Sequence, residues 1–181
     1  MTSSAPEALR PEAGEYHPYY AAYIGLVEDG PILGRFAAQA EELRDLMSAL
    51  GPNGGAHRYA PGKWTVRQVL GHVADTERIF GMRATCIARG ETSSLPGYDQ
   101  DDYVAEGAFD ARPVESLLRE FDLLRAANLE MLSGLAGEYW LRTGTANGAA
   151  MSVRAAAWIL VGHLEHHLAI LRERYGAAFS A

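Results

Sequence analysis

Three of the six histidines fall within one stretch, Ser152 to Tyr175 (SVRAAAWILVGHLEHHLAILRERY). Neutral imidazole is a common ligand for transition metals, so their spacing matters first. A helix advances about 100° per residue, which puts His163 and His167 on one face a turn apart. Two imidazoles so placed can converge on a single cation, the geometry that H-E-x-x-H exploits in metalloproteases. With His163 at zero, Ala156, Leu160, Leu164, His167, Ile170 and Leu171 share the apolar side, and Arg154, Glu165 and Arg172 the opposite one. His166 sits at the margin beside Glu173. One inward histidine is commonly a core residue bonded to a backbone carbonyl. Two of them four apart each lose hydration, which favours metal over packing, provided another segment supplies a third ligand.

His72 is that candidate. Thr65 and Gln68 form a capping box directly after Lys63-Trp64, predicting a helix from there to about Arg89, stopped at Gly90. His72 lies in its second turn at the edge of a stripe of Val69, Val73, Phe80 and Ile87. Asp75, Arg78 and Arg67 occupy the other side and read as solvated. If this helix runs antiparallel to the histidine-rich one, His72, His163 and His167 meet at one end. Three neutral nitrogen ligands with a position left open describe a catalytic rather than a closed structural site, suited to one divalent ion such as zinc or nickel. Asp75 and Glu165, on the polar sides of their helices, are not expected to be ligands.

The remaining segments must hold those helices. Pro31 to Leu50 shows helical spacing of apolar residues, and Gly51 to Gly62 reads as loop. Residues 91–112 form a long connection that allows a crossover. Its acidic run lacks the spacing and terminal Glu of a calcium loop. Tyr98, Asp99 and Asp102 there are weaker candidates for lining a site entrance, against loop packing and helix capping. A third helix begins near Pro113. Between Gly137 and Met151 the period breaks, and Asn147-Gly148 signals a short hairpin before Ser152 caps the fourth helix. The fold class is therefore all-α, a four-helix bundle. Residues 1–18 read as a flexible tail and residues 19–181 as the domain, with the aromatic arm Tyr16 to Tyr23 packed across the bundle.

At 181 residues the chain fits one domain. A net charge of −7 without a Lys/Arg cluster argues against nucleic acid or an anionic membrane as partner. The tail lacks the features of a signal peptide, and no apolar run is long enough to span a bilayer. Cys86 is the single cysteine, which excludes an intramolecular disulfide and a cysteine zinc site and fits a reducing, cytoplasmic setting. It follows His72 by fourteen residues, roughly 21 Å along a helix, so it cannot reach a metal at His72. A nucleophilic sulfur would have to arrive on a co-substrate.

Several of these stretches together resemble the DinB superfamily, including its YfiT-like proteins. They are Tyr23-Ile24, Gly62-Lys63-Trp64-Thr65-Val66-Arg67-Gln68-Val69-Leu70-Gly71-His72-Val73-Ala74-Asp75-Thr76-Glu77-Arg78, Leu95-Pro96-Gly97-Tyr98-Asp99-Gln100-Asp101 and Gly162-His163-Leu164-Glu165-His166-His167-Leu168. The resemblance implies an up-down-down-up four-helix bundle, a metal triad on His72, His163 and His167, and a homodimer. It also implies either a metal-dependent transferase using a low-molecular-weight thiol such as bacillithiol or mycothiol, or a hydrolase. The expected function is activation of such a thiol, or of water, by a bound divalent metal toward a small-molecule substrate. The alternatives are a metal-binding or stress-response protein without turnover, and a structural dimer whose histidines are incidental.

Overall fold

The fold is set by four long helices whose apolar stripes close on one another. A computed structural model describes residues 9–179. Its elements are α1 (Ala21–Gly25), α2 (Ile32–Ser48), α3 (Val66–Ala88), α4 (Gln100–Glu106), α5 (Val114–Ser133), α6 (Gly137–Trp140), β1 (Thr143–Ala146), β2 (Ala149–Ser152) and α7 (Val153–Arg174). The starts of α3 and α7 follow their caps. Thr65 and Gln68 exchange both hydrogen bonds of the capping box, and Ser152 Oγ accepts from the Ala155 amide.

Helices α2 and α3 each pack on both α5 and α7. Arg35 pairs with Glu165 and Arg172 with Glu42, so α2 and α7 run parallel. Thr65 bonds Asp110 and Asn128 bonds Glu77, so α3 and α5 are parallel too. Tyr175 bonds the Trp64 carbonyl while His72 meets His163, which makes α3 and α7 antiparallel. The order is up-down-down-up. Two parallel neighbours cannot be joined by a tight turn, and residues 91–112 carry the chain back along the bundle.

That connection is more ordered than its sequence suggests. It holds α4, capped by Asp99, and a short 3₁₀ turn at Phe109–Ala111. The hairpin forms with a two-residue turn in which Asn147 and Gly148 have φ of 52° and 73°, the left-handed pair a tight hairpin requires. Leu95 bonds alongside it, to Thr145 and Asn147, tying the connection to the hairpin.

The expected flexible tail over 1–18 lies outside the described residues for 1–8. From Arg10 onward the segment is docked on α7. Arg10 donates to the Ile24 and Val27 carbonyls and stacks 4.9 Å over Trp158. Glu15 pairs with Arg154 and accepts from Ser152 Oγ. This docking changes the reading of α7, which is amphipathic only in its second half. Every residue from Met151 to Leu164 is buried, Arg154 among them.

The core is divided. One apolar cluster gathers around Phe36, Phe80, Trp140 and Trp158, another around Leu43, Leu70, Phe121 and Leu164. Between them a polar layer crosses the bundle. Arg125 pairs with Glu77 at 3.3 Å and bonds Gln39, Asn128 holds Glu77, and Gln39 donates to the Val161 carbonyl. Burial pushes the Glu77 carboxyl upward and the Arg125 guanidinium downward, each opposed by the other's charge.

Candidate metal centre

The antiparallel packing of α3 on α7 brings the three histidines together. His163 Nε2 lies 2.9 Å from His72 Nε2 and 3.2 Å from His167 Nε2, and the three ligand atoms fall within 4.8 Å of one another. All three rings are buried, at 2%, 6% and 7% exposure for His72, His163 and His167. Trp64, just ahead of the α3 cap, packs its ring 4.8 Å from His72. Tyr23 of α1 sets its ring edgewise on His163 and His166, at 5.4 and 5.3 Å.

Desolvation keeps these imidazoles neutral. It pushes His72 down to about 4, with the charge on His166 adding to it, and holds His163 and His167 well below the usual histidine range. Protein contacts alone do not satisfy such a cluster. His163 Nε2 offers either one proton or one in-plane lone pair, yet two ring nitrogens face it. His167 Nδ1 is also buried without a hydrogen-bond partner. A cation would accept all three Nε2 lone pairs. Ligand nitrogens about 2.0–2.1 Å from a tetrahedral ion stand roughly 3.3 Å apart; the two spacings to His163 lie within a few tenths of an ångström of that, and the set as a whole, within 4.8 Å, would draw in around an ion.

Two hollows approach the cluster. The first, of about 390 Å³, reaches His163 and is walled by Tyr20, Tyr23, Thr76, Phe80, Tyr98 and Ile159. The second, of about 370 Å³, reaches His166 and His167 between Lys63, Trp64, Tyr59 and Tyr175. Tyr23, Gln100 and Asp101 border both. Each is sized for a small molecule.

Among the entrance candidates, Tyr98 lines the first hollow and its hydroxyl meets Thr76 Oγ1 at 3.2 Å. Asp99 borders the same hollow while capping α4 through the Asp101 and Asp102 amides. The Asp102 side chain lines neither hollow; Gln100 and Asp101 do. Glu165 is engaged by Arg35, and Asp75 by Arg78 at 3.3 Å. Cys86 packs against Met82, 3.7 Å between sulfurs. Sequence reasoning missed Tyr23 and Trp64 as neighbours of the cluster. Both occur in the stretches that carry the resemblance, and that was the available signal.

The model of the DinB superfamily matches residues 35–171, most of the chain and all three histidines. The chain belongs to the DinB superfamily. This member of the superfamily is 27% identical over 180 residues to a Geobacillus kaustophilus protein named "putative metal-dependent hydrolase", covering 97% of this chain and 93% of that one. A Bacillus pumilus protein of the same name is 30% identical over 117 residues, 64% of this chain and 66% of the relative. YfiT from Bacillus subtilis, described as a probable metal-dependent hydrolase with an unusual four-helix bundle topology, superposes with a TM-score of 0.71 at 19% identity over 93% of each chain. That likeness is one of fold.

Proposed function

We propose that the protein is an enzyme that holds one divalent transition metal, zinc or nickel, on His72, His163 and His167 and acts on a small molecule through an activated water or low-molecular-weight thiol. The convergence of three buried Nε2 atoms at the inner end of two hollows carries this reading. The names borne by the superfamily relatives agree with the metal. A bound divalent ion supplies a Lewis-acidic centre that lowers the pKa of a coordinated water or thiol toward neutrality.

The chain's own residues do the rest. Burial leaves the imidazoles neutral and ready to bind without first shedding protons. Trp64, tilted against His72, and Tyr23, edgewise on His163, pack two of the rings and exclude bulk water from their sides. The Tyr98 and Thr76 hydroxyls place a donor and an acceptor inside the first hollow. With an ion held on the three histidines, hydrolysis would use water as the activated nucleophile and thiol transfer a small thiol. A homodimer and a cytoplasmic location complete the reading; light scattering on the purified chain tests the first.

Metal analysis of protein purified without a histidine tag tests the centre. About one ion per chain is expected. His72→Ala, His163→Ala and His167→Ala each remove most of it, and His166→Ala keeps most. Equal loss from His166→Ala would move the ligand pair to the i, i+3 spacing, and full retention by His72→Ala would end the proposal.

A further inference from the structure

A third hollow, of about 730 Å³, has no part in the metal centre. It opens where the end of α2, the loop that follows, the start of α3 and the start of α5 meet, and its volume is that of a small-molecule site. No histidine lines it, nor do Tyr23 and Trp64.

Its distinguishing residue is Arg67, whose guanidinium makes no hydrogen bond or ion pair among the described residues and whose Nε is buried without a partner. The main chain at Gly55 lies close against it. A Cβ there would stand 3.1 Å from both Nε and Cζ of Arg67, and 2.8 Å from Val114 Cγ2. That loop is itself tied down, Gly51 donating to the Ala178 carbonyl and Gly54 to that of Gly51, so the guanidinium rests on a fixed surface. A cation that has lost part of its hydration and gained no counter-charge favours an anion in the space beside it.

The neighbouring charges do not supply that anion. Arg44 and Arg112 also border the hollow, but they pair with Asp122 and Glu120, which do not line it. Of the two carboxylates on the wall, Asp110 accepts from the Thr65 hydroxyl and Glu115 is exposed to water, and neither pairs with Arg67. Further donors come from α5. Its N-cap, Pro113, provides no side-chain cap, and main-chain bonding at this end begins with the Ser116 amide. The Val114 and Glu115 amides therefore lack acceptors among the described residues, at the start of a 20-residue helix whose dipole favours negative charge. Met47, Leu50 and Leu118 give the same space an apolar surface.

We propose that this hollow binds a small phosphomonoester, with its phosphate on Arg67 and the first amides of α5 and its organic part against Met47, Leu50 and Leu118. A tetrahedral dianion can accept from a guanidinium fork and from helix amides at once, whereas a carboxylate brings one charge and two oxygens. The site shares no residue with the three-histidine cluster and stands or falls without it.

The test is calorimetric titration of the full-length chain with phenyl phosphate, inorganic phosphate and benzoate at low ionic strength. Phenyl phosphate is expected to bind saturably and more tightly than either of the others. Arg67→Met keeps a long stem against Gly55 but loses the charge, and weakens phenyl phosphate roughly tenfold or more, the scale of a charged hydrogen bond. Arg67→Lys restores part of the loss, having the charge without the fork. His72→Ala binds as the native chain does, with circular dichroism confirming that each variant is folded. Native-like affinity in Arg67→Met overturns the proposal, as does the absence of saturable binding to the native chain. Loss in His72→Ala in place of Arg67→Met would put the phosphate at the histidines and overturn it too. Inorganic phosphate or benzoate binding as tightly as phenyl phosphate would overturn the assignment to a phosphomonoester.

Discussion

Replacing Gly162 with alanine sets two opposed effects against each other at the contact that places Tyr23. Within a helix the change alone is worth about 1 kcal/mol in favour of alanine. Against it, the new Cβ would stand 2.1 Å from the Tyr23 oxygen and 2.5 Å from its carbonyl carbon, where ordinary contact begins near 3.4 Å. The obstruction is main chain, so no rotamer change relieves it, and α1 must withdraw by roughly 1.3 Å, the shortfall in the oxygen contact. Withdrawal is resisted by the buried Ile24 and Val27 and by the Arg10 hydrogen bonds to their carbonyls. Overpacking of this kind costs about 1–3 kcal/mol, and a loosened charged hydrogen bond adds about 1 kcal/mol or more. Weighed against the propensity gain, the net loss is about 2 kcal/mol, or a fall in Tm of about 4–8 °C for a chain this long. Calorimetry measures it. The His163 ring protons should also shift as the Tyr23 ring moves off them, while metal uptake is kept because no ligand is carried on α1. An unchanged or raised Tm would refute the reasoning.

Other expectations follow from the same contacts. For metal-free protein, His72 is depressed from 6.5 to about 4 on folding, so the unfolded chain binds the proton first. Stability is then full above pH 6.5 and falls as pH drops toward 4, by about 3 kcal/mol from this residue. His163 and His167 act in the same direction. Denaturant midpoints across that window check this against His72→Asn, which should flatten the slope. Glu77→Ala leaves Arg125 as a buried charge without its carboxylate and should cost about 3–5 kcal/mol by urea unfolding; a loss under 1 kcal/mol would mean that Gln39 and the rings of Phe36 and Phe121, which the guanidinium overlies at 4.1 and 5.3 Å, suffice. Cys86→Ser should retain metal and whatever turnover an activity screen finds. If it abolished turnover in folded, metal-loaded protein, an external thiol would be the wrong source of sulfur.

Much of the framework was legible because it depends on local rules. Thr65 with Gln68 marks the start of α3, Ser152 that of α7, and helical spacing alone selects His72, His163 and His167. What stayed hidden depends on which segment covers which face. The wheel set Arg154 on an open side, yet Arg10 and Glu15 fold over that side. Helix α4 spans seven residues with Val104 its single buried side chain, too little for a period to show. Tyr23 reads as core in an aromatic arm, and only the close pass of α1 over Gly162 turns it toward the histidines.

The burial of α7 has a consequence for the order in which the chain is made. Of the four long bundle helices it is the last to leave the ribosome, and α1, α2 and α3 all pack against it. Until it arrives, Ile24, Phe36 and Phe80 lack the surface that covers them, and His72 waits for partners that follow it by 91 residues or more. Until α7 is made, the nascent bundle therefore carries exposed apolar faces, the condition under which chains aggregate or engage chaperones. A stop codon ahead of Val153 would remove the keystone and two of the three histidines together.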